Sequence, residues 1–367
     1  MITPAELLEL RQQVIGLGLF IGIAFGAISQ ATRFCTLGAI ADWVVVGNRA
    51  RMQAWWVAMA AAVLATQALL VVGLLDNADS FYTAPRLMWA SNLIGGLLFG
   101  AGMVLASGCG VRTLVRIGEG SLKAVVVFLV MSLAALMTIR GLTAIWRSET
   151  VERLYIDLGS RQDLPTLLFG AETADGAGRM VVAMVLAGLL LLAAFWKAQW
   201  KRSLVPMLGA LVLGLLIAAG WATTGWLGFL SEHPDTLEAA FVATNSRSPE
   251  SLTFVGPLAY SLELLLYWSD RSQTITFAIA TVLGTTLGSL GSALARGRFK
   301  LDGFKTNQDL LSHLVGAVLM GVGGVVAMGC TIGHGMSGLS LLALGSIISL
   351  LGIVAGAWAT LKALERV

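Results

Sequence analysis

Charged residues are scarce in this chain of 367 residues. Only 12% of the residues are Asp, Glu, Lys or Arg, whereas 57% are hydrophobic and the mean hydropathy is +0.82. A soluble domain carries roughly a quarter charged residues, so this composition excludes an ordinary soluble protein. The formal net charge of +3 is too small to indicate nucleic-acid binding. We therefore predict a polytopic protein of the lipid bilayer with no nucleic-acid partner.

Cysteine and histidine are also rare, and their spacing excludes several kinds of site. The three cysteines, Cys35, Cys109 and Cys330, form no CxxC pair, and an odd number without paired spacing does not make a disulfide framework. The three histidines fall in no HExxH or similar pattern. The sequence therefore predicts no metal centre and no cofactor, and it favours a protein that is not an enzyme.

Long apolar runs make up most of the chain. A membrane helix needs about 20 mostly apolar residues. Nine runs satisfy this: 14–34, 54–75, 88–108, 121–141, 180–197, 204–223, 273–295, 309–329 and 340–363. Four Gly-rich pieces are too short to span and predict half-helices or re-entrant turns: 36–47, 110–118, 226–230 and 331–338. Because lipid cannot satisfy bare backbone groups, these pieces must share a protein interior. The residues at 256–270, with Tyr and Trp beside acidic groups, predict an interfacial helix.

The loops between these runs differ in charge. Three loops are basic: 48–53, 197–202 with Lys197, Lys201 and Arg202, and 296–305. Three loops are mixed or acidic: 76–87, 142–179 and 231–255. Basic loops stay on the cytoplasmic side of a membrane. We therefore predict that the N-terminus lies outside the cell membrane and the C-terminus on its cytoplasmic side.

Two stretches of the chain are copies of one pattern. Leu93 to Ala124 reads LIGGLLFGAGMVLASGCGVRTLVRIGEGSLKA, and Leu314 to Ala343 reads LVGAVLMGVGGVVAMGCTIGHGMSGLSLLA. Aligned without a gap, Gly95, Gly100, Gly102, Gly108 and Cys109 fall on Gly316, Gly321, Gly323, Gly329 and Cys330. Each copy ends at a Gly–Cys step, where glycine permits a backbone break. Interruptions at corresponding points of two halves point to a transporter site built from broken membrane helices.

The predicted threading makes the two copies cross the bilayer in opposite directions. The expected fold is an all-α polytopic membrane protein of about nine transmembrane helices, with half-helices and two inverted-topology repeats. Residues 1–141 and 204–367 form the halves, 142–179 is a polar insert, and 180–203 holds a linking span. A looser match of Ala31–Cys35 with Ala222–Trp226 makes Trp226 the counterpart of Cys35.

The candidate site residues lie at the breaks. A thiol is a weak, polarizable donor that suits a sulfur-bearing ligand. The segments after Cys109 and Cys330 begin as helices, and helix N-termini favour anions. The residues expected next to the anion are Gly108, Gly110, Gly329, Thr331, His334 and Arg33. His334 either donates to the anion or satisfies a buried carbonyl. The basic residues after Cys109 either face the ion path or mark the inner surface, and Glu119 is expected to pair with one of them.

The blocks ATRFCTLGA, SGCGVRTLVRIGEGSLKA and MGCTIGHGMSGLS resemble the signature blocks of the YeeE/YedE family of bacterial inner-membrane proteins. That resemblance covers nearly the whole chain. It implies an hourglass-like protein of inverted halves that takes up thiosulfate, with Cys35, Cys109 and Cys330 along the substrate path. It also implies a cytosolic TusA-like sulfurtransferase as a partner. In such proteins the thiols hydrogen-bond the ion and form no covalent adduct.

Two other functions stay open from the residues alone. A sulfur-transfer enzyme would use the cysteines covalently and needs a base or a second thiol to generate thiolate. A soft-metal transporter would place Met or His beside each cysteine. Met328 and His334 flank Cys330, but Cys109 has no such neighbour.

Overall fold

The computed structural model describes residues 3–76, 80–170, 174–196, 204–234, 236–270 and 272–365. The basic residues Lys197, Lys201 and Arg202 lie outside these ranges. The helices are α1 (Pro4–Thr32), α2 (Thr36–Ala41), α3 (Ala50–Val71), α4 (Trp89–Leu105), α5 (Gly110–Gly118), α6 (Leu122–Arg140), α7 (Leu142–Glu149), α8 (Leu164–Phe169), α9 (Arg179–Phe195), α10 (Val205–Ala222), α11 (Val255–Leu266), α12 (Phe277–Ala295), α13 (Asn307–Val326) and α14 (Leu344–Leu364).

Shorter elements join or extend these helices. The 3₁₀ turns are Phe81–Thr83 and Val151–Arg153, and the π-helical segments are Asp42–Val46, Ala174–Gly178, Thr223–Leu227 and Gly333–Gly338. Strands β1 (Arg86–Leu87) and β2 (Ile156–Asp157) pair antiparallel, as do β3 (Phe229–Leu230) and β4 (Ala240–Phe241).

The prediction of nine membrane spans is confirmed. Within the described residues, nine helical segments are long and apolar enough to cross a membrane. They are Pro4–Val46, Ala50–Val71, Trp89–Gly118, Leu122–Arg140, Gly176–Phe195, Val205–Leu227, Phe277–Ala295, Asn307–Val326 and Leu344–Leu364. Three long helices begin after a threonine whose hydroxyl accepts a hydrogen bond from a backbone amide of the first turn: Thr3, Thr276 and Thr306. Such caps satisfy amides that have no partner inside the helix.

The two copies of the repeated pattern cross each other at glycines. A Cβ built on Gly102 would lie 2.6 Å from the carbonyl oxygen of Gly316, and one on Gly316 would lie 2.7 Å from that of Gly102. Gly95 and Gly323 approach each other in the same way, with both corresponding distances at 2.7 Å. Gly95 is the sequence counterpart of Gly316, and Gly102 is that of Gly323, so the second contact repeats the first with the two helices exchanged. The order of the two contacts means that α4 and α13 run antiparallel. This reciprocity is the mark of a two-fold relation between inverted copies.

The helices that follow the copies obey the same relation. α14 packs on α4, and α6 packs on α13. Farther from this crossing, α1 packs on α12 and α3 packs on α10. Glycines again set the spacing, because a Cβ on Gly214 of α10 would lie 2.7 Å from the Cβ of Ala61 in α3. Close backbone approach is the usual way that membrane helices gain packing energy.

The polar insert is fastened to the loop before α14. The backbone amide of Leu164 donates to the carbonyl of Leu342 at 3.0 Å, and the amide of Leu344 donates to Gln162 at 2.9 Å. Asp163 is fully buried, accepts from the Thr166 hydroxyl at 2.9 Å and pairs with Arg179 at 3.3 Å. The insert thus forms a fixed cover over one end of the second half. We call that side of the protein the insert face, and the side with residues 47–49 and 296–303 the basic face.

Two local predictions are wrong. Residues 226–230 do not form a separate half-helix, because α10 continues as π helix to Leu227 and β3 follows. Residues 256–270 do not form an interfacial helix. α11 begins at Val255 and is largely buried against α6 and α12. The acidic residue that suggested an interface, Glu263, is paired with Arg140 at 2.5 Å.

The glycine crossing generates a stability prediction. Gly102→Ala places a methyl group against the Gly316 carbonyl, and such overpacking costs about 1–3 kcal/mol. Gly188→Ala is the matched control, because nothing lies within 4 Å of a Cβ at Gly188 in α9. Alanine there gains up to about 1 kcal/mol of helix propensity. Thermal unfolding in detergent should show a lower Tm for Gly102→Ala only. An equal Tm for both variants would contradict the crossing.

Candidate functional site

Three helices end in the same way before a cysteine. A residue with positive φ lies two positions before each one: Arg33 (55°), Ser107 (56°) and Met328 (63°). Its amide donates to the carbonyl three residues earlier at 2.9–3.4 Å, and the next amide donates to the carbonyl five residues earlier at 2.8–3.1 Å. These paired bonds form a Schellman motif, which closes the last turn of a helix. The chain therefore turns back at the ends of α1, α4 and α13 by one repeated device.

The glycines of the Gly–Cys steps serve a different purpose from the one expected. The left-handed conformation falls on the preceding residue, so Gly108 and Gly329 do not supply the positive φ. Gly329 is needed for space, because a Cβ there would lie 2.8 Å from the His334 ring. At the first break this position is Phe34, whose ring stacks on Trp55 with centroids 5.3 Å apart.

Each cysteine then starts a short helical segment. The cysteine carbonyl accepts the first helical hydrogen bond from the amide four residues later, at 3.0, 2.9 and 2.8 Å for Cys35, Cys109 and Cys330. The sulfurs of Cys35 and Cys330 also cap their segments, because they accept from the amides of Gly38 at 3.5 Å and Gly333 at 3.4 Å. Both stand in a Cys-Thr-Leu/Ile-Gly sequence.

Cys109 departs from this pattern. Its sequence is Cys-Gly-Val-Arg, so Arg112 occupies the position of the amide-donating glycine. Within the described chain, the Cys109 side chain makes no capping hydrogen bond to α5. Its sulfur is therefore uncapped by its own helix, although Cys109 and Cys330 are sequence counterparts.

Cys109 lies near both of the other cysteines. Cys35 and Cys330 each interact electrostatically with it. Cys109 and Cys330 are 2% and 1% exposed, whereas Cys35 is partly exposed. The expected relation between Cys35 and Trp226 stays a prediction, and Trp226 is 58% exposed on the π-helical extension of α10.

The fourth half-helix is α11, and it starts after Phe254 instead of a cysteine. A Cβ on Gly110 would lie 3.5 Å from the Cβ of Phe254, and the Phe254 amide is directed at the Cys330 sulfur. We call Cys35, Cys109, Cys330 and Phe254 the cysteine junction. No sequence motif marks Phe254, and the reading from sequence missed it.

A cavity of about 700 Å³ lies on the basic face. Cys35 and Ser107 line it. Its charged lining residues are Arg33, Arg51, Arg112, Arg116, Arg298, Lys300, Asp42, Glu119 and Asp302. The expected pairing of Glu119 is confirmed: its partner is Arg112, at 3.1 Å. Basic groups outnumber acidic ones, so the cavity favours anions.

A smaller cavity of about 220 Å³ lies on the insert face. Tyr82, Arg147, Glu250, Thr253 and Gly329 are among the residues that line it. The Thr253 hydroxyl lies 3.8 Å from the Cys330 sulfur, so this cavity reaches the cysteine junction. Burial raises the pKa of the Glu250 carboxyl, while hydrogen bonds from Ser246 and Asn245 act in the opposite direction. The junction thus lies between two cavities that open on opposite faces.

His334 is occupied by protein groups. Its Nε2 lies 2.7 Å from the Ala327 carbonyl oxygen, and its Nδ1 lies 3.1 Å from the Ser346 hydroxyl. A carbonyl only accepts, so Nε2 carries the proton and Nδ1 accepts from Ser346. Of the two roles considered for His334, the structure gives the second: it braces the end of α13. Thr331 is different, because its buried hydroxyl has no partner among the described residues.

The exposure of the cysteines generates a labelling prediction. The Cys109→Ser/Cys330→Ser variant keeps only Cys35, which lines the basic cavity. In detergent, a maleimide should modify it roughly ten times faster than Cys330 in the Cys35→Ser/Cys109→Ser variant, because reaction requires access. A cysteine-free variant gives the background. Equal rates for the two single-cysteine proteins would contradict the described burial.

Comparison with known proteins identifies transporters as relatives of this chain. The chain is 28% identical to the thiosulfate transporter TsuA of Escherichia coli K12, over 93% of this chain and 92% of the relative. It is 28% identical to TsuA of Spirochaeta thermophila, over 94% and 97% of the two chains. It is 34% identical to the probable transporter YedE of Salmonella typhimurium, over 33% of this chain and 28% of the relative. The family model described as "Sulphur transport" matches residues 31–359, which confirms the resemblance, and the chain belongs to that family.

Proposed function

We propose that this protein takes up thiosulfate, or a similar small sulfur-containing anion, across the bacterial inner membrane. The observation that carries the proposal is the position of the cysteine junction between an insert-face cavity and a basic-face cavity. The similarity to two thiosulfate transporters over more than nine-tenths of the chain supports the choice of substrate. The lining offers thiols and amides, which bind an ion without reacting with it.

The chemistry of the junction suits this ion. The short helical segments begin at the junction, and helix N-termini present amides with partial positive charge to an anion. Thiols add weak donors and polarizable surface for the terminal sulfur of thiosulfate. The uncapped Cys109 is the proposed central contact, with Thr331, Gly110 and the Phe254 amide beside it.

The proposed path follows the three cysteines. The ion enters the insert-face cavity, passes Thr253 and Cys330, reaches Cys109 and leaves past Cys35 into the basic cavity. Gly108 and Gly329 keep the turns narrow enough for this path, while Arg33 adds charge at the exit. Each proposed contact with the ion is a hydrogen bond, so no step is covalent and the protein is not an enzyme.

The basic face is proposed to be cytoplasmic, with a periplasmic N-terminus and a cytoplasmic C-terminus. Residues 1–141 and 204–367 are the proposed inverted halves, joined by the insert at 142–179 and a span at 180–203. A TusA-like sulfurtransferase is the proposed cytosolic acceptor at the mouth of the basic cavity. Inside-out vesicles that carry the Cys35-only variant test the orientation: an impermeant maleimide should label them and should spare right-side-out vesicles.

Both alternatives could draw on the histidine beside Cys330, as the base of a sulfur-transfer enzyme or as a ligand of a soft metal. His334 is the histidine next to Cys330, and both of its ring nitrogens are engaged by Ala327 and Ser346. Neither alternative is favoured by a further contact in the described residues.

Growth of a sulfate-uptake-deficient bacterium tests the function. Cells that express this chain should grow with thiosulfate as sulfur source and should accumulate ³⁵S-labelled thiosulfate. Because the junction offers helix N-termini, a neutral thioether should compete poorly, since anions gain up to about 1–2 kcal/mol at such sites. Accumulation that matches the empty vector, or equal competition by the thioether, would count against the proposal.

Substitution of each cysteine separates passage from covalent transfer. A neutral hydrogen bond contributes about 0.5–1.5 kcal/mol. Serine keeps a donor at each position, so uptake should fall about tenfold or less in the serine variants. Cys109→Ala should be the most damaging substitution, because its thiol is the one left uncapped. Cys330→Ser keeps a good cap, whereas Cys330→Ala should also lose about 0.5–2 kcal/mol of stability.

Mass spectrometry during turnover completes this test. Direct passage predicts unmodified cysteines and a graded series in which serine outperforms alanine. A covalent mechanism instead predicts serine and alanine variants that are equally inactive. A persulfide or thiosulfonate adduct at Cys109 or Cys330 would falsify the proposal of simple passage.

A further inference from the structure

We propose that Arg112 is a binding residue for the transported anion, at the step between Cys109 and Cys35. This inference deepens the proposed function and rests on it. The ligand class is a small divalent oxyanion, thiosulfate being the example tested. The site is the basic cavity, which Arg112 and Cys35 both line.

The position of Arg112 along α5 is the first argument. At the two other cysteines the residue three positions later is a glycine whose amide caps the sulfur. At Cys109 that residue is Arg112, and the capping bond is missing within the described chain. The side chain of Arg112 lines the basic cavity and interacts electrostatically with Cys35. Its guanidinium therefore lies in the basic cavity, which Cys35 also lines.

A chain of hydrogen bonds fixes this guanidinium. Its Nη2 pairs with Oε2 of Glu119 at 3.1 Å. The other oxygen of Glu119 accepts from the Gln30 side-chain amide at 3.3 Å, and Gln30 Oε1 accepts from the Ser292 hydroxyl at 2.8 Å. Gln30 is fully buried in α1. Three helices, α1, α5 and α12, thus hold one edge of Arg112 in place.

One terminal nitrogen of Arg112 has no partner among the described residues. This nitrogen is Nη1, and it is buried. Neighbouring arginines of the cavity differ, because Arg116 donates to the Ser107 carbonyl at 3.2 Å and Arg51 pairs with Asp42 at 3.2 Å. A buried charged donor without a partner is costly, so such an edge points to a ligand. The planar fork of a guanidinium matches the paired oxygens of an oxyanion.

A purely structural ion pair with Glu119 is the competing explanation, and a double-variant cycle separates the two. Arg112→Gln, Glu119→Gln and the combined variant are assayed for the KM of thiosulfate uptake. Thermal stabilisation of each purified variant by thiosulfate gives a second readout. Glutamine at position 119 keeps a neutral acceptor for the Gln30 side-chain amide. Arg298→Gln, at the exposed rim of the same cavity, controls for loss of one positive charge.

The anion-binding role predicts an asymmetric cycle. Arg112→Gln and the combined variant should both raise KM at least about tenfold and lose the thermal stabilisation, because a hydrogen bond to a charged group is removed. Glu119→Gln and Arg298→Gln should stay within about threefold of the wild type. Arg112→Lys should recover part of the loss, since it restores charge but not the fork.

Two results would overturn the inference, and they differ from failure of the proposed function. Arg112 is only a structural residue if Glu119→Gln is as damaging as Arg112→Gln and the combined variant recovers the wild-type KM. It is also only structural if the combined variant keeps the full stabilisation by thiosulfate. If the wild-type protein itself shows neither uptake nor stabilisation, the proposed function fails, and this inference fails with it. Instability of the single variant changes none of these outcomes, because the combined variant carries the decision.

Discussion

Hydrocarbon cannot hydrogen-bond to a peptide group, and this constraint governs the whole structure. A chain that breaks its helices inside the membrane must satisfy every freed amide and carbonyl within the protein. Schellman turns satisfy the helix ends at Arg33, Ser107 and Met328. The extended residues before α11 are held by hydroxyls: Thr224 bonds both backbone groups of Glu250, and Ser337 donates to the Leu252 carbonyl. Broken helices are therefore possible only around a shared, enclosed centre, which is where the cysteines lie.

Glycine makes that centre compact. At the crossing of α4 and α13 the backbones touch, and a methyl group on Gly102 or Gly316 would strike a carbonyl of the other helix. The contact between Gly102 and Gly316 is repeated between the corresponding residues Gly323 and Gly95. These two contacts together fix the positions of the breaks at the ends of α4 and α13. The insert, tied to the loop before α14 through Gln162 and Leu164, then fixes one end of the second half.

The three breaks before the cysteines have the same backbone turn and differ in side-chain chemistry. Cys35 and Cys330 cap their own helices through the amides of Gly38 and Gly333, whereas Cys109 makes no capping hydrogen bond to α5 within the described residues. The basic face carries a large cavity rich in arginine, while the insert face carries a smaller cavity that holds Arg147 and the buried Glu250. The two cavities therefore differ in charge, and the excess of basic groups makes the basic-face cavity the more favourable one for an anion.

The sequence by itself determined the spans and the breaks. Apolar length located all nine membrane segments, and the repeated Gly–Cys step located the ends of α4 and α13, because these features depend on local composition. Only the tertiary structure decided the rest. In the folded chain α11 is the fourth half-helix, and Phe254 is a neighbour of Cys330. The positive φ falls on Ser107 and Met328 and not on the glycines that follow them. His334 bonds to Ala327 and Ser346. These outcomes rest on contacts between segments far apart in the chain, and no local pattern of residues encodes which distant group a buried side chain will meet.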